Sequence, residues 1–219
     1  MAFLTRLVPA LAALILAACA TTDRSGEDDA ASSAATPPSG LAPGFVPEPE
    51  LMVCPRLTIS NAPRTDADGR VTGYAPFALV DGQRILINPA PKSCLSSNFG
   101  MRRGKLHKGI DLQSSPAGPV VAAGSGTVVE AGYRDDYGTY VLIQHSETVF
   151  TRYAHLQSRT NEAQEGATVQ TGTVLGIMGN TASYSIPIHL HYEVLTGDYD
   201  TPKGAFGLTP QDILTLAER

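Results

Sequence analysis

The stretch Ile188-His189-Leu190-His191-Tyr192-Glu193-Val194 constrains this chain more than any other. As a strand it alternates between faces, with His189, His191 and Glu193 on one and Leu190, Tyr192 and Val194 on the other. The apolar set can enter a core while the imidazoles and the carboxylate point into a cleft. Neighbouring imidazoles in an apolar strand are costly to bury unless something uses them, and a divalent metal is the usual user. Far upstream, His107-Lys108-Gly109-Ile110-Asp111 places a carboxylate four residues after a histidine and offers the other half of a site. Each signal is weak alone. Together they are stronger, although spacing does not say which imidazoles would hold metal.

The remaining chain reads as an all-β scaffold rich in tight turns. Phe77–Val80 and Gln83–Ile87 flank an Asp81-Gly82 pair, a strong hairpin signal. Pro119–Gly132 predicts two strands about the Gly124-Ser125-Gly126 bend. Tyr140–His145 is predicted to pair with Val149–His155, and short strands follow at 166–169 and 174–179. No amphipathic helix of useful length interrupts them. Only the tail predicts a helix: Thr209-Pro210-Gln211-Asp212 has a capping residue, a proline in the first turn and an acid three positions after the cap. With 219 residues the chain can hold one compact domain plus extensions. Its formal charge of -5, with no basic stripe, argues against a nucleic-acid partner.

The N-terminus reads as an export signal. Arg6 precedes an apolar run, Leu7–Leu16, too short to span a membrane comfortably, and Ala17-Ala18-Cys19 closes it with small residues. Leu16-Ala17-Ala18-Cys19 also resembles the lipobox of bacterial lipoproteins, which implies cleavage before Cys19 and lipidation of its thiol. The alternative is an ordinary signal peptide with a chance cysteine. Ala20 is not an aspartate, so in a two-membrane cell the resemblance implies anchoring at the periplasmic face of the outer membrane. Residues 19–50 are small, polar and proline-rich, a composition that cannot bury enough apolar surface to order itself and reads as a tether. In an exported chain the remaining cysteines, Cys54 and Cys94, are candidates for a disulfide. Closing a loop across 40 residues would contribute on the order of 3–4 kcal/mol. Free thiols or metal ligation are the alternatives, and the separation matches no compact thiolate zinc pattern.

The chain holds five histidines: His107, His145, His155, His189 and His191. A zinc centre that hydrolyses amides needs about three protein ligands, an open position for water, a base nearby and a donor for the developing oxyanion. The His-x-His strand, His107 and Asp111 could supply that set.

Residues 96–195 resemble the lysostaphin/LytM-type zinc peptidases, a bacterial peptidoglycan-hydrolase family. The matching pieces, in order, are Ser97-Asn98-Phe99-Gly100-Met101-Arg102, His107–Leu112, Val121–Val128, Tyr137-Gly138, Tyr153-Ala154-His155-Leu156, Gly166 with Val174-Leu175-Gly176, and His189–Val194. The resemblance implies an open groove on an antiparallel sheet, with Zn2+ held by His107, Asp111 and His191. It implies catalytic roles beside the metal for His155 and His189, with their division of labour left open. It implies a zinc endopeptidase cutting peptidoglycan cross-links, in a two-membrane cell the D-alanyl–diaminopimelate bond. Partners would then be peptidoglycan, a membrane through the lipid anchor, and division or wall-synthesis proteins. Relatives that activate cell-wall amidases without hydrolysing the wall supply a second reading, and a passive wall-binding module a third. Glu193 is either an orienting partner for a ligand imidazole or a solvated acid; His145 reads as structural. The run Asn180–Ile188 departs from the family's glycine-containing turn, which puts the cleft rim in question and makes Tyr184 a rim candidate. The resulting division is a lipoprotein signal at 1–18, tether at 19–50, a small pre-domain at 51–95, the LytM-like domain at 96–205 and a tail with a short helix at 206–219.

Overall fold

The computed structural model describes residues 40–57, 59, 61–200 and 204–218. The signal segment, Cys19 and most of the expected tether lie outside these residues. Among the described residues the chain is all-β, with short 3-10 turns and no α-helix. A nine-stranded sheet runs in the spatial order Met52–Val53, Cys94–Ser97, Ile110–Gln113, Leu190–Thr196, Val149–Ala154, Gly138–Gln144, Gly126–Arg134 and Thr168–Val169. Thr209–Gln211 adds to the Leu190–Thr196 strand beyond the end of Ile110–Gln113. All pairs are antiparallel except Met52–Val53 with Cys94–Ser97, so the expected antiparallel sheet is mixed at one edge.

The histidine strand sits near the centre of this sheet. Leu190, Tyr192 and Val194 enter the main core, as their alternation requires. The Gly124–Gly126 bend carries the chain from the smaller three-stranded sheet, which contains Pro119–Val121, into the large one. The Tyr140 and Val149 segments pair as predicted, and so does the hairpin of Phe77–Val80 with Gln83–Leu86. Asp81 and Gly82 both have positive φ, as a two-residue turn of that twist demands.

Residues 51–95 have no core of their own. Leu51, Val71, Phe77, Ile85, Ile87 and Leu95 belong to the same buried cluster as Ile110, Tyr153 and Tyr192. The Tyr192 hydroxyl donates to the Leu86 carbonyl at 2.9 Å, across the same boundary. Cys54 and Cys94 are joined by a disulfide, with their Cα atoms 4.9 Å apart. Breaking it by Cys54→Ser will lower unfolding free energy by about 3–4 kcal/mol, read by denaturant titration against the oxidised protein.

The tail departs from its expected helix. Thr209–Gln211 is a strand paired with Val194–Thr196, and only Ile213–Leu216 forms a single 3-10 turn. The free edge of the histidine strand offers backbone partners that a first helical turn cannot match, and Pro210, lacking an N–H, is tolerated on an edge strand.

Candidate metal and catalytic site

Asp111 and His191 are directly opposed on adjacent antiparallel strands, so their side chains leave the same face side by side. His107 closes the Lys105–His107 strand of a second hairpin and reaches the same point. Gly109 lets the connecting chain lie against the histidine strand, because a Cβ there would overlap the Tyr192 carbonyl. His107 Nε2, Asp111 Oδ1 and His191 Nδ1 form a triangle with sides of 3.0, 3.0 and 2.9 Å.

The protons on the far sides of the rings decide what that triangle can hold. His107 Nδ1–H donates to the Asn98 carbonyl at 2.7 Å, and His191 Nε2–H donates to Glu193 Oε1 at 3.0 Å. In the neutral rings, both inward nitrogens are then bare lone pairs facing a carboxylate oxygen. Three acceptors converge with no donor among them, an arrangement that calls for a cation. A tetrahedral zinc with arms of about 2.0–2.1 Å has ligand–ligand edges of about 3.3–3.4 Å, so a few tenths of an ångström of opening admits it. Among the described residues this is the one cluster of its kind. Without metal, burial would depress His191, but the carboxylates of Asp111 and Glu193 raise it to about 9. Burial alone would raise Asp111, whereas in the metal-free site protonated His107 and His191 stand in for the cation, and their hydrogen bonds hold Asp111 well below the usual carboxylate range.

Glu193 is wholly buried and orients His191. It is held in turn by Arg152 at 2.5 Å and by the Tyr137 hydroxyl at 3.0 Å. Arg152 lies opposite Glu193 in the strand register and also donates to the Tyr137 oxygen at 3.0 Å. On the other flank, Arg102 Nη1 donates to Asp111 Oδ2 at 3.0 Å and to Ser97 Oγ at 2.9 Å, occupying the oxygen that the triangle leaves.

His155 and His189 stand beside the triangle, with ring centres 4.8 Å apart. Their Nδ1–H groups donate to the carbonyls of Thr181 at 2.9 Å and Pro187 at 2.8 Å, which leaves each Nε2 as an acceptor. His189 Nε2 is 3.7 Å from Asp111 Oδ1. Burial pushes His155 down to about 4, and it lowers His189 as well. Both are therefore neutral bases near pH 7. His155 has a φ of +65°, in the left-handed region that costs a non-glycine residue about 1–2 kcal/mol. That turn at the end of Val149–Ala154 aims the ring at the metal ligands rather than along the strand.

Thr181 fixes this ring from three directions. Its carbonyl accepts from His155, its hydroxyl donates to the Leu156 carbonyl at 2.9 Å, and it accepts from the Thr139 N–H at 3.0 Å. Gly138 permits the approach, since a Cβ there would overlap the Thr181 carbonyl. Thr181→Val will cost about 1–3 kcal/mol by orphaning the Thr139 N–H. Thermal unfolding will read that loss, and the His155 ring will lose its fixed orientation.

All five residues expected from the sequence thus meet in one place. His145 does not join them: its Nδ1–H donates to the Ser125 carbonyl and its Nε2 accepts from Thr151. Tyr184 is exposed, and its hydroxyl donates to the Asp136 carbonyl. Sequence reasoning left Arg152 and Thr181 without roles. The available signal for Arg152 was a lone cation in an otherwise apolar strand, beside a strand bearing a lone acid.

Residues 105–202 match peptidase family M23. A stretch of 127 residues, 54% of this chain, is 38% identical to the peptidoglycan DD-endopeptidase ShyC of Vibrio cholerae, over 29% of that protein. A stretch of 161 residues, 70% of the chain, is 35% identical to the DD-carboxypeptidase/endopeptidase Mpg of Neisseria meningitidis, over 34% of its length. The chain therefore spans about a third of these relatives. A solved zinc-containing peptidase from Vibrio cholerae superposes with a TM-score of 0.51 at 25% identity, covering 62% of this chain and 44% of the other.

Proposed function

We propose that this chain, whose residues 105–202 match peptidase family M23, is a zinc-dependent endopeptidase of peptidoglycan cross-links. The observation that carries the reading is the convergence of three inward acceptors, 2.9–3.0 Å apart, beside two neutral imidazoles with free Nε2 atoms. The name of one relative, a peptidoglycan DD-endopeptidase, supports the substrate class, and that of the other, a DD-carboxypeptidase/endopeptidase, supports the reaction.

His107, Asp111 and His191 would hold the zinc, which would supply a Lewis acid able to make water nucleophilic near neutral pH and to polarise a carbonyl. The chain's own residues handle the protons. The Nε2 of His155 or His189 takes a proton as the water oxygen bonds to the peptide carbon. The protonated ring becomes a donor, first for the developing oxyanion and then for the departing amine nitrogen as the C–N bond breaks. Burial keeps both rings unprotonated until the water arrives. Glu193 holds the His191 ring so that its Nδ1 faces inward, and Arg102 keeps Asp111 turned toward the ligands.

The bond proposed is D-alanyl–diaminopimelate. The N-terminal reading makes the protein an outer-membrane lipoprotein whose tether, roughly 30 residues long, lets the domain sample the adjacent wall. The test is digestion of cross-linked muropeptide dimers by the zinc-loaded protein beside His191→Ala, with products read by mass. Monomers formed only by the intact protein, with about one zinc per chain, are the expected result. Intact dimers in both reactions would transfer the site to the amidase-activating reading.

A further inference from the structure

The hairpin that delivers His107 carries a charge pattern the metal site does not use. The chain is acidic overall, yet Arg102, Arg103, Lys105 and Lys108 fall within seven residues, and no Asp or Glu occurs between Asp81 and Asp111. In this hairpin Arg102 is opposed to Lys105, and Gly100 to His107. Opposed residues share a face, as do residues two apart, so Arg102, Lys105 and His107 all lie on one side. Arg102 and His107 prove which side that is, since both reach Asp111. Lys105 therefore faces the cleft one pleat beyond His107, about 7 Å further along the strand. Met101 and Leu106 take the opposite face.

Lys105 is exposed and has no ion pair among the described residues. Among the described residues Arg102 binds Asp111 and Ser97 through Nη1 alone, and its side chain is 43% exposed, which leaves its Nε and Nη2 hydrogens for another acceptor. A guanidinium edge beside a lysine is the donor set for a carboxylate. We propose that Lys105 and the outer edge of Arg102 form a carboxylate-binding subsite on the cleft wall, which selects acidic peptides bearing a free carboxylate within a residue or two of the scissile bond. This rests on the endopeptidase reading and narrows its substrate class: stem peptides with free acids bind, and their amidated forms bind less well.

The test uses two cross-linked peptides that differ only in one side-chain group beside the scissile bond, free acid or primary amide. Wild type is expected to show a lower KM for the acid form. Lys105→Gln will raise that KM about fivefold, the upper range for an exposed ion pair, with kcat unchanged and the amide form unaffected. Lys105→Arg will restore the preference, and rising salt will erode it. Equal KM values for the two forms in wild type, or an unchanged ratio in Lys105→Gln, would overturn the proposal. Calorimetry with the two cleavage products separates it from the parent reading. If neither dimer is cut but the acid product binds wild type more tightly than Lys105→Gln, the endopeptidase reading fails and the subsite stands. If product binding ignores the carboxylate, the subsite fails regardless of cleavage.

Discussion

His155→Ala will cut turnover about 100- to 10,000-fold, the usual contribution of a positioned acid–base group, and will leave zinc content unchanged. His155 is not a corner of the triangle, and its Nδ1–H is committed to Thr181, so only its Nε2 can serve the reaction. Stoichiometric zinc in a nearly inactive variant would separate proton transfer from metal binding. Equal loss of zinc would make His155 a ligand and overturn the assignment. The pH dependence has a definite sign. Burial depresses His155 to about 4, while the unfolded chain titrates near 6.5. Between those values the unfolded state binds a proton that the folded state refuses, so His155 makes stability fall as pH drops from about 6.5 toward 4. His155→Ala removes that term, and its unfolding free energy will decline less steeply across the same window.

Arg152→Met will cost about 3–5 kcal/mol, because it leaves the Glu193 carboxylate buried without its cation. Zinc affinity will drop about 10- to 100-fold as Glu193 loses the contact that holds it against His191. Burial would raise Glu193, but the hydrogen bond and charge of His191, followed by the Arg152 charge, hold it down to about 2. Its contribution to stability is therefore present above the unfolded value of about 4.3 and is lost as pH falls toward 2. Pairing Arg152→Met with Glu193→Leu gives a sharper comparison. Removing both charges will recover most of the stability, yet zinc affinity will stay low because the His191 Nε2–H has no acceptor. Recovery of both would mean that the network serves packing alone.

The strand alternation at 189–194 was legible because imidazoles at every second position conflict with an apolar strand unless something gathers them. The hairpin at Asp81-Gly82 was legible from turn chemistry, and the disulfide from export logic. What escaped the sequence depends on register between distant strands. Arg152 acquires meaning only when it lies opposite Glu193, and Thr181 acts mainly through its backbone carbonyl, which every residue carries. The tail misled because its capping residues also suit an edge strand, and the open side of Leu190–Thr196 decided between them. The 51–95 segment read as separate because its hairpin is locally complete, whereas its burial partners lie far away in sequence.

That shared core redraws the smallest portable unit of this protein. The segment matched to the family begins at residue 105, but the Cys94–Ser97 strand bordering Asp111 and the Leu51–Ile87 residues beneath Tyr192 lie before it. A fragment trimmed to the match would carry every ligand and still lack the floor on which the histidine strand rests. Grafting, fusion or library design should cut upstream of Leu51, where the excised piece keeps its own foundation.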